Sequence, residues 1–379
     1  MDLTVEQQDL RDAVRGLIAK ALVAKTGTDR SPWRRLCDEI GVAGLAIPER
    51  YGGAGAGLAE ICVVMEELGA NLTPSPLLGS AVLAAAAIQA SGDAAACERL
   101  LPAIADGSAI ASLAWTNSAG HWDTAEVAYG ARETGGGWEL DGEAHYVLDG
   151  AAADVLLIAA SVPDGSTGLF EVDPRAGGVA RAAVPTMDAS RDLAVVRLTG
   201  ARGRRIGGDA AGPLAFARDQ ACIALSAEQV GAAKRALELT VGHLLTRVQF
   251  GQPIGGFQAL QHRAADLYIL VESARSLIRA VASAADEAGG AEDGTTAGTT
   301  DGAANLTAPG PGTRAAAAKV YCSEALTQTA NEMIQLHGAI GVTWEHQAHR
   351  YLKRAHGARY LFGSPSRHLA TIAASLIDG

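Results

Sequence analysis

The chain has 379 residues, of which 48% are hydrophobic, so it carries enough apolar side chains for two or three packed regions and is not disordered as a whole. Its formal net charge is −11, from 31 Lys and Arg against 42 Asp and Glu, which argues against general attraction to nucleic acid or to an anionic membrane. The five cysteines lie far apart without CxxC spacing, and this favours a reducing compartment.

The amino terminus is acidic and polar, where a secretory signal would be basic and then apolar. The longest apolar stretch, from Ala81 to Ile88, is shorter than the roughly 20 residues of a membrane span and is predicted to be a buried helix. We therefore expect a cytoplasmic protein without a membrane partner.

Three regions follow one another along the chain. Residues 1–107 combine helical periodicity with Gly and Pro punctuation and are predicted to form an α-helical domain. Residues 108–212 contain short β-rich runs separated by Asp-Gly turns and are predicted to form a β domain. Residues 213–379 are predicted to form a helical bundle, whose first helix places these apolar residues on one stripe: Ile223, Val230, Leu237, Val241 and Leu244.

Within these regions, patterning predicts individual elements. The expected strands include Trp138 to Leu140, Val155 to Ile158, Gly168 to Val172 and Leu193 to Leu198. The later helices are expected at about Gln258 to Ala285, Arg314 to Leu336, Trp344 to Tyr360 and Arg367 to Ile377. Residues 287–313 are rich in Gly, Thr, Ala and Pro and nearly lack large apolar side chains, which predicts a flexible loop.

The segment from Arg247 to Gln258 joins the first two bundle helices. A plain helical hairpin would explain its Gly and Pro turn. The functional alternative is that Arg247 offers a planar fork of donors to a diphosphate, while amides such as that of Gln258 bond a sugar or a base edge.

A second segment, from Ile334 to His346, has a Gly-rich turn at a helix end. Missing side chains there let the backbone approach an anion closely, although a plain helix cap is the alternative. Two stretches near the amino end, Gly44 to Gly53 and Glu66 to Gly69, are most simply explained as core helix and turn.

Taken together, these segments resemble the acyl-CoA dehydrogenase family over nearly the whole chain. The resemblance implies an α+β, mainly α fold, with an N-terminal helical domain, a middle β domain and a C-terminal four-helix bundle. It also implies FAD between the β domain and the bundle, with its adenine half reaching a neighbouring subunit. The candidate cofactor-binding residues on this mapping are Arg247, Gln249, Phe250, Gln258, Gln335, Gly338, Thr116 and Ser364. No metal site is expected.

The family's reaction removes the α-proton of an acyl-CoA to a glutamate and passes the β-hydrogen to the flavin as hydride. The two positions where the family places that glutamate correspond to Phe362 and Ala221 in this sequence. Glu228 lies seven residues after Ala221, which puts it on the same helix face two turns along and makes it a candidate base. The alternative for Glu228 is an ion pair with a neighbouring bundle helix.

The resemblance implies FAD-dependent α,β-dehydrogenation of an acyl-CoA thioester. The chain is expected to act either as a complete enzyme or as the degenerate subunit of an actinobacterial heterotetramer, a type that often acts on steroid side chains. A non-catalytic structural partner and a flavin monooxygenase of the same fold are the alternatives. The expected partners are an acyl-CoA substrate, electron-transfer flavoprotein as acceptor, and a homologous subunit in a homo- or hetero-oligomer; nucleic acid is not expected.

Overall fold

The computed structural model describes residues 3–21, 30–124, 126–290 and 310–377. The amino-terminal part is helical, with α1 Val5–Ala21, α2 Ser31–Ile40, α3 Leu58–Ala70, α4 Ala85–Ala90 and α5 Ala94–Ala105. A π-helical segment, Leu77–Ala84, runs directly into α4, and residues 81–88 are all buried. The buried helix predicted at this apolar stretch is confirmed.

The middle of the chain forms a seven-stranded sheet. Its strands are β1 Ala111–Ala114, β2 Tyr129–Thr134, β3 Gly137–Leu148, β4 Val155–Ser161, β5 Thr167–Val172, β6 Val179–Val184 and β7 Leu193–Ile206. The four predicted strand segments lie within β3, β4, β5 and β7.

The pairing of these strands closes on itself. β4 pairs with β2, β2 with β3, β3 with β7, β7 with β5, and β5 returns to β4. β1 adds to β4 in parallel, and β6 adds to β7 in antiparallel register. A closed ring buries one face of every member strand, and its interior is filled by side chains such as Tyr129, Leu140, Ile158, Phe170 and Val196.

The carboxy-terminal part is a helical bundle of α6 Ala211–Thr246, α7 Gln258–Gly290, α8 Pro311–His337, α9 Ala348–Tyr360 and α10 Pro365–Ile377. A short hairpin of β8 Val248–Gln249 and β9 Gln252–Pro253 joins α6 to α7. The predicted stripe on α6 is buried at Ile223, Val230, Leu237 and Leu244 and half-buried at Val241.

Two predicted boundaries in this part are wrong. Both ends of the segment expected to be a flexible loop, 287–313, are helical instead: α7 continues through Gly290, and α8 begins at Pro311, where a proline in the first turn suits a helix start. Residues 291–309 of that segment lie outside the described residues. The helix expected from Trp344 begins instead at Ala348, because the His346 ring accepts a hydrogen bond from the Ala348 amide at 3.2 Å and holds the preceding residues in a turn.

Close contact between α3 and α6 joins the amino-terminal helices to the bundle. A Cβ added at Gly69 would collide with the Glu228 carbonyl, and one added at Gly231 would collide with the Glu66 carbonyl. The absence of side chains at these two glycines lets the helix backbones touch. Along the described parts of the chain, no helix is long and apolar enough to cross a membrane.

Candidate active site and cofactor-binding loops

Phe362, which occupies one of the two expected base positions, is buried in a cluster of aromatic rings. It follows α9 with a left-handed φ of 60°, and its side chain is 1% exposed. Its ring meets Trp122 edge-on at a centroid distance of 5.1 Å, and Trp122 meets Trp115 in the same way at 5.1 Å. Such edge-to-face pairs are favourable, so the cluster holds the Phe362 ring at a position where the family resemblance places a carboxylate.

His368, on α10, holds the backbone of Phe362 from one side. Its Nε2 lies 3.1 Å from the Phe362 carbonyl oxygen, and since a carbonyl only accepts, this nitrogen carries the proton. Burial, together with the positive charges of Lys319 and Arg218, lowers the pKa of His368 to about 4. The imidazole is therefore neutral at pH 7.

Lys319, on α8, holds the end of α9 from the other side. Its Nζ donates to the carbonyl oxygens of Ala358 and Arg359, both at 3.1 Å, and to the Ser323 hydroxyl at 3.0 Å. The last carbonyls of a helix have no partner within the helix, so this buried ammonium acts as their cap. Burial lowers the pKa of Lys319 to about 8.

Ala221, the second expected base position, is fully buried on α6 next to Cys222. Burial raises the pKa of Cys222 to about 12, so the thiol stays protonated and neutral at physiological pH. Neither this position nor Phe362 therefore offers a group that could accept a proton.

Glu228 is paired on both carboxylate oxygens. One oxygen lies 2.5 Å from a guanidinium nitrogen of Arg191, in the β domain, and the other contacts Arg354, on α9. Arg354 also pairs with Asp188 at 2.7 Å. Burial alone would raise the pKa of Asp188, but Arg354 and the Ser190 hydroxyl outweigh it, and the net pKa is lowered.

These four side chains form a buried charge network, Asp188, Arg191, Glu228 and Arg354, with two positive and two negative charges. It joins the β domain to two bundle helices and borders a cavity of about 30 Å³ that is also lined by Thr73, Asp149 and Ser190. The placement of Glu228 corresponds to the ion-pair alternative, and a carboxylate that neutralises two arginines is a poor proton acceptor.

Most of the candidate cofactor residues lie at one end of the bundle, where α6 and α8 end and α7 begins. Phe250 is 92% exposed at the tip of the β8–β9 hairpin, with a φ of 54°. The side chains of Arg247, Gln249, Gln258 and Gln335 are exposed as well, and Gly338 has a φ of 65°. Within the described ranges, the Arg247 guanidinium makes no hydrogen bond or ion pair, so it is available to a ligand.

Thr116 and Ser364 lie apart from these loops. Thr116 follows β1 and is 2% exposed, with its carbonyl accepting a hydrogen bond from the His145 amide. Ser364 is half-buried directly before α10, and its hydroxyl pairs with that of Ser366 at 2.9 Å.

A flavin dinucleotide needs room for its ring and for its adenosine diphosphate, and the chain suits only the second. The exposed loops combine a free guanidinium, amide side chains and a tight glycine turn, in which a Cβ at Gly341 would come within 3.0 Å of the Ile334 carbonyl. At the expected site of the flavin ring, the side chains of Thr116 and Phe362 are only 2% and 1% exposed, so neither presents a surface to a flavin in this structure.

Sequence reasoning missed Trp122, Lys319, Arg191 and Arg354. A lysine in the apolar run Ala315 to Val320 was the one available signal, since an isolated charge among small apolar residues needs a buried partner. The arginines carried no local signal, because their partners are far away in sequence.

Comparisons with known proteins agree with this architecture. Residues 4–108 match the family model "Acyl-CoA dehydrogenase, N-terminal domain", and residues 217–377 match "Acyl-CoA dehydrogenase, C-terminal domain". The chain therefore belongs to the acyl-CoA dehydrogenase family, whose members are FAD-dependent oxidoreductases.

Particular relatives refine the comparison. The chain is 37% identical to acyl-CoA dehydrogenase IpdE2 of Mycobacterium tuberculosis, over 95% of this chain and 94% of that protein. It is 31% identical to acyl-CoA dehydrogenase FadE27 of the same organism, over 92% and 89%.

Two solved structures are also similar. One is a variant of the Tcur3481-Tcur3483 steroid ACAD, with 31% identity, a TM-score of 0.83 and coverage of 99% of this chain and 98% of that one. The other is the ChsE4-ChsE5 complex from Mycobacterium tuberculosis, with 28% identity, a TM-score of 0.85 and full coverage of both chains.

Proposed function

We propose that this chain is one subunit of a heteromeric FAD-dependent acyl-CoA dehydrogenase, and that a homologous partner supplies the catalytic base. The burial of Phe362 against Trp122, at a position where the family resemblance places a glutamate, carries this proposal. The α-proton of an acyl-CoA is weakly acidic, so its removal requires a positioned base that neither expected position provides.

The contribution of this chain is then to bind part of the FAD cofactor. FAD supplies the hydride acceptor of the family reaction. Arg247, Gln249, Phe250, Gln258, Gln335 and Gly338 lie on an exposed face, from which they would contact the adenosine diphosphate of an FAD whose ring lies in the partner. A structural neighbour that is itself described as a complex of two differently named chains supports this arrangement.

Glu228 remains the alternative base within the chain itself. Its two ion pairs oppose that role, because proton uptake would remove the buried negative charge that Arg191 and Arg354 share and leave Asp188 to balance two arginines. Rearrangement of the whole charge network would be needed before the carboxylate could reach a substrate.

A purely structural partner is the second candidate function. The burial of Thr116 and Phe362 at the expected site of the flavin ring favours a structural role. The unpaired Arg247 on the exposed loop favours a role in cofactor binding. Flavin retention by the complex after Arg247→Ala separates the two. A flavin monooxygenase activity, electron-transfer flavoprotein as acceptor, and Ser364 and Thr116 as cofactor contacts stay predictions.

Co-expression tests the proposal. The chain is purified alone and with a homologue that carries Glu at a position matching Phe362 or Ala221, and flavin is measured by absorbance and released-cofactor chromatography. The proposal expects FAD in the complex and little in the isolated chain. Steroid-derived acyl-CoA thioesters are the first substrates to test, since one similar solved structure is described as a steroid ACAD.

The buried, unpaired state of all five cysteines fits a reducing compartment such as the cytoplasm.

A further inference from the structure

Three imidazole rings lie in a row, here called the stack, at the bundle end that carries the candidate cofactor loops; one pair is stacked and the other is tilted. The rings of His243 and His337 are 4.4 Å apart between centroids with an interplanar angle of 26°, and those of His337 and His346 are also 4.4 Å apart, at 42°. The stack therefore links the last turn of α6, the last residue of α8 and the turn before α9.

Two of the rings, those of His243 and His337, belong to residues that contact segments used by the proposed function. His243 precedes Arg247 by one helical turn, and its carbonyl accepts the Arg247 amide at 2.9 Å. His337 directly precedes Gly338, and the glycine at 341 packs against the His337 side chain, where an added Cβ would approach to 3.2 Å. The central ring, that of His337, thus lies between the other two rings and next to the glycine turn.

Hydrogen bonds fix how two of the rings are protonated. His337 Nδ1 lies 2.7 Å from the Met333 carbonyl oxygen, so this nitrogen is the donor. His346 Nδ1 accepts from the Ala348 amide, so it is unprotonated. Both rings keep one nitrogen without a proton when they are neutral.

We propose that the stack of His243, His337 and His346 positions the two loops that bind the adenosine diphosphate of FAD, and that it does so only while its rings are neutral. The inference rests on the proposed function and makes these histidines positioning residues. Protonation would place like charges at stacking distance and drive the rings, and with them the loops, apart.

The surrounding charges oppose protonation of the stack. Burial, His346 and Arg247 lower the pKa of His243, and burial, His243 and His346 lower that of His337, although the Met333 carbonyl raises it. On α9, burial and then Lys353, Arg350 and His346 lower the pKa of the neighbouring His349. Every one of these charged or titrating neighbours on the chain is a cation or becomes one on protonation, so all of them disfavour a charged ring in the stack.

The test measures the dissociation constant of FAD from the co-purified complex by flavin fluorescence between pH 8 and pH 5. As the pH falls from 8 to 5, the affinity of the wild-type complex for FAD should decrease roughly tenfold or more. This is expected when one proton binds more tightly to the FAD-free complex than to the FAD-bound complex. His337→Phe keeps a stackable ring that cannot titrate, so its affinity should change much less with pH. His356→Asn, at an exposed histidine on α9, is the matched control and should follow the wild type.

His243→Phe provides a second non-titrating variant if His337→Phe does not fold, which thermal unfolding monitors for each protein. An FAD affinity that is constant from pH 8 to pH 5 in the wild type would overturn this inference alone, as would an unchanged pH slope in the folded Phe variant. A complex without FAD at any pH would overturn the proposed function and this inference together.

Discussion

Phe362 and Trp122 meet edge-to-face with ring centroids 5.1 Å apart and an interplanar angle of 72°, although 240 residues separate them in the sequence. The contact joins the segment after α9 to the segment between β1 and β2, so it links the bundle to the β domain. With His368 and Lys319 holding the backbone around Phe362, the ring has one stable position.

Truncation of Phe362 should therefore destabilise the fold. Phe362→Ala removes a buried ring and leaves a cavity, for which about 3–5 kcal/mol of unfolding free energy is expected. Chemical denaturation monitored by circular dichroism measures the loss. Tyr360→Ala, at an aromatic residue that is 62% exposed in the same segment, is the control and should change stability by no more than about 0.5 kcal/mol. Equal effects of the two substitutions would contradict the buried cluster.

Loss of the Glu228 charge should also lower the free energy of unfolding. Glu228→Gln leaves Arg191 and Arg354 without their shared counter-charge, and breaking a buried pair costs about 3–5 kcal/mol. Glu238→Gln, in an exposed pair with Arg235 on the same helix, should have almost no effect on unfolding. Normal stability of Glu228→Gln, combined with lost substrate-dependent flavin reduction, would instead identify Glu228 as the base.

Arg247→Ala should act on the cofactor rather than on the fold. Its exposed side chain makes no hydrogen bond or ion pair among the described residues, so the melting temperature should stay almost the same, whereas FAD affinity of the complex should fall by about 1.5–3 kcal/mol for one charged hydrogen bond. Fluorescence titration of FAD measures the change. Arg235→Ala, at a half-buried position three turns earlier on α6 that pairs with Glu238, is the control for loss of an arginine away from the loops. Unaltered FAD affinity after Arg247→Ala would favour the purely structural partner.

Acid should weaken the folded chain through His368. Its pKa in the folded state is about 4, below the ordinary 6.5, so the unfolded chain takes up this proton first as the pH falls. The contribution of the neutral His368 ring to the free energy of unfolding is fully present above pH 6.5. It is lost progressively as the pH falls to about 4, by about 3 kcal/mol in all.

Denaturation of wild type and His368→Gln at several pH values checks this. The glutamine keeps a donor for the Phe362 carbonyl and does not titrate, so its stability should depend less steeply on pH between 6.5 and 4. His356→Gln, at an exposed histidine, should retain the wild-type slope. A slope that is the same in all three proteins would assign the acid sensitivity to other groups.

The sequence predicted the architecture because its signals are local. The stripe from Ile223 to Leu244 and the β-rich runs between Asp-Gly turns depend on neighbours within a few residues, and the described elements lie where these patterns indicate. The exposed cofactor loops were proposed for a similar reason, since their glycine turns are visible in sequence. Their binding role stays a prediction.

The contacts around the expected base positions could not be predicted in this way. Arg191 and Glu228 come from different regions, and Lys319 caps a helix that begins almost 30 residues later. Such pairs depend on how whole elements pack, and no periodicity encodes them. The sequence could show that Phe362 is no base, but not that its ring is buried against Trp122.

The most direct test of the account is anaerobic single-turnover bleaching of the flavin by acyl-CoA. The co-expressed complex should bleach when a suitable thioester is added, and substitution of the partner's glutamate should slow bleaching by about 10²–10⁴-fold, the usual contribution of a general base. The isolated chain, mixed with FAD and the same thioester, should not bleach the flavin. Rapid bleaching by the isolated chain would contradict the account, because it would require a base within a chain whose two expected positions hold Phe362 and Ala221.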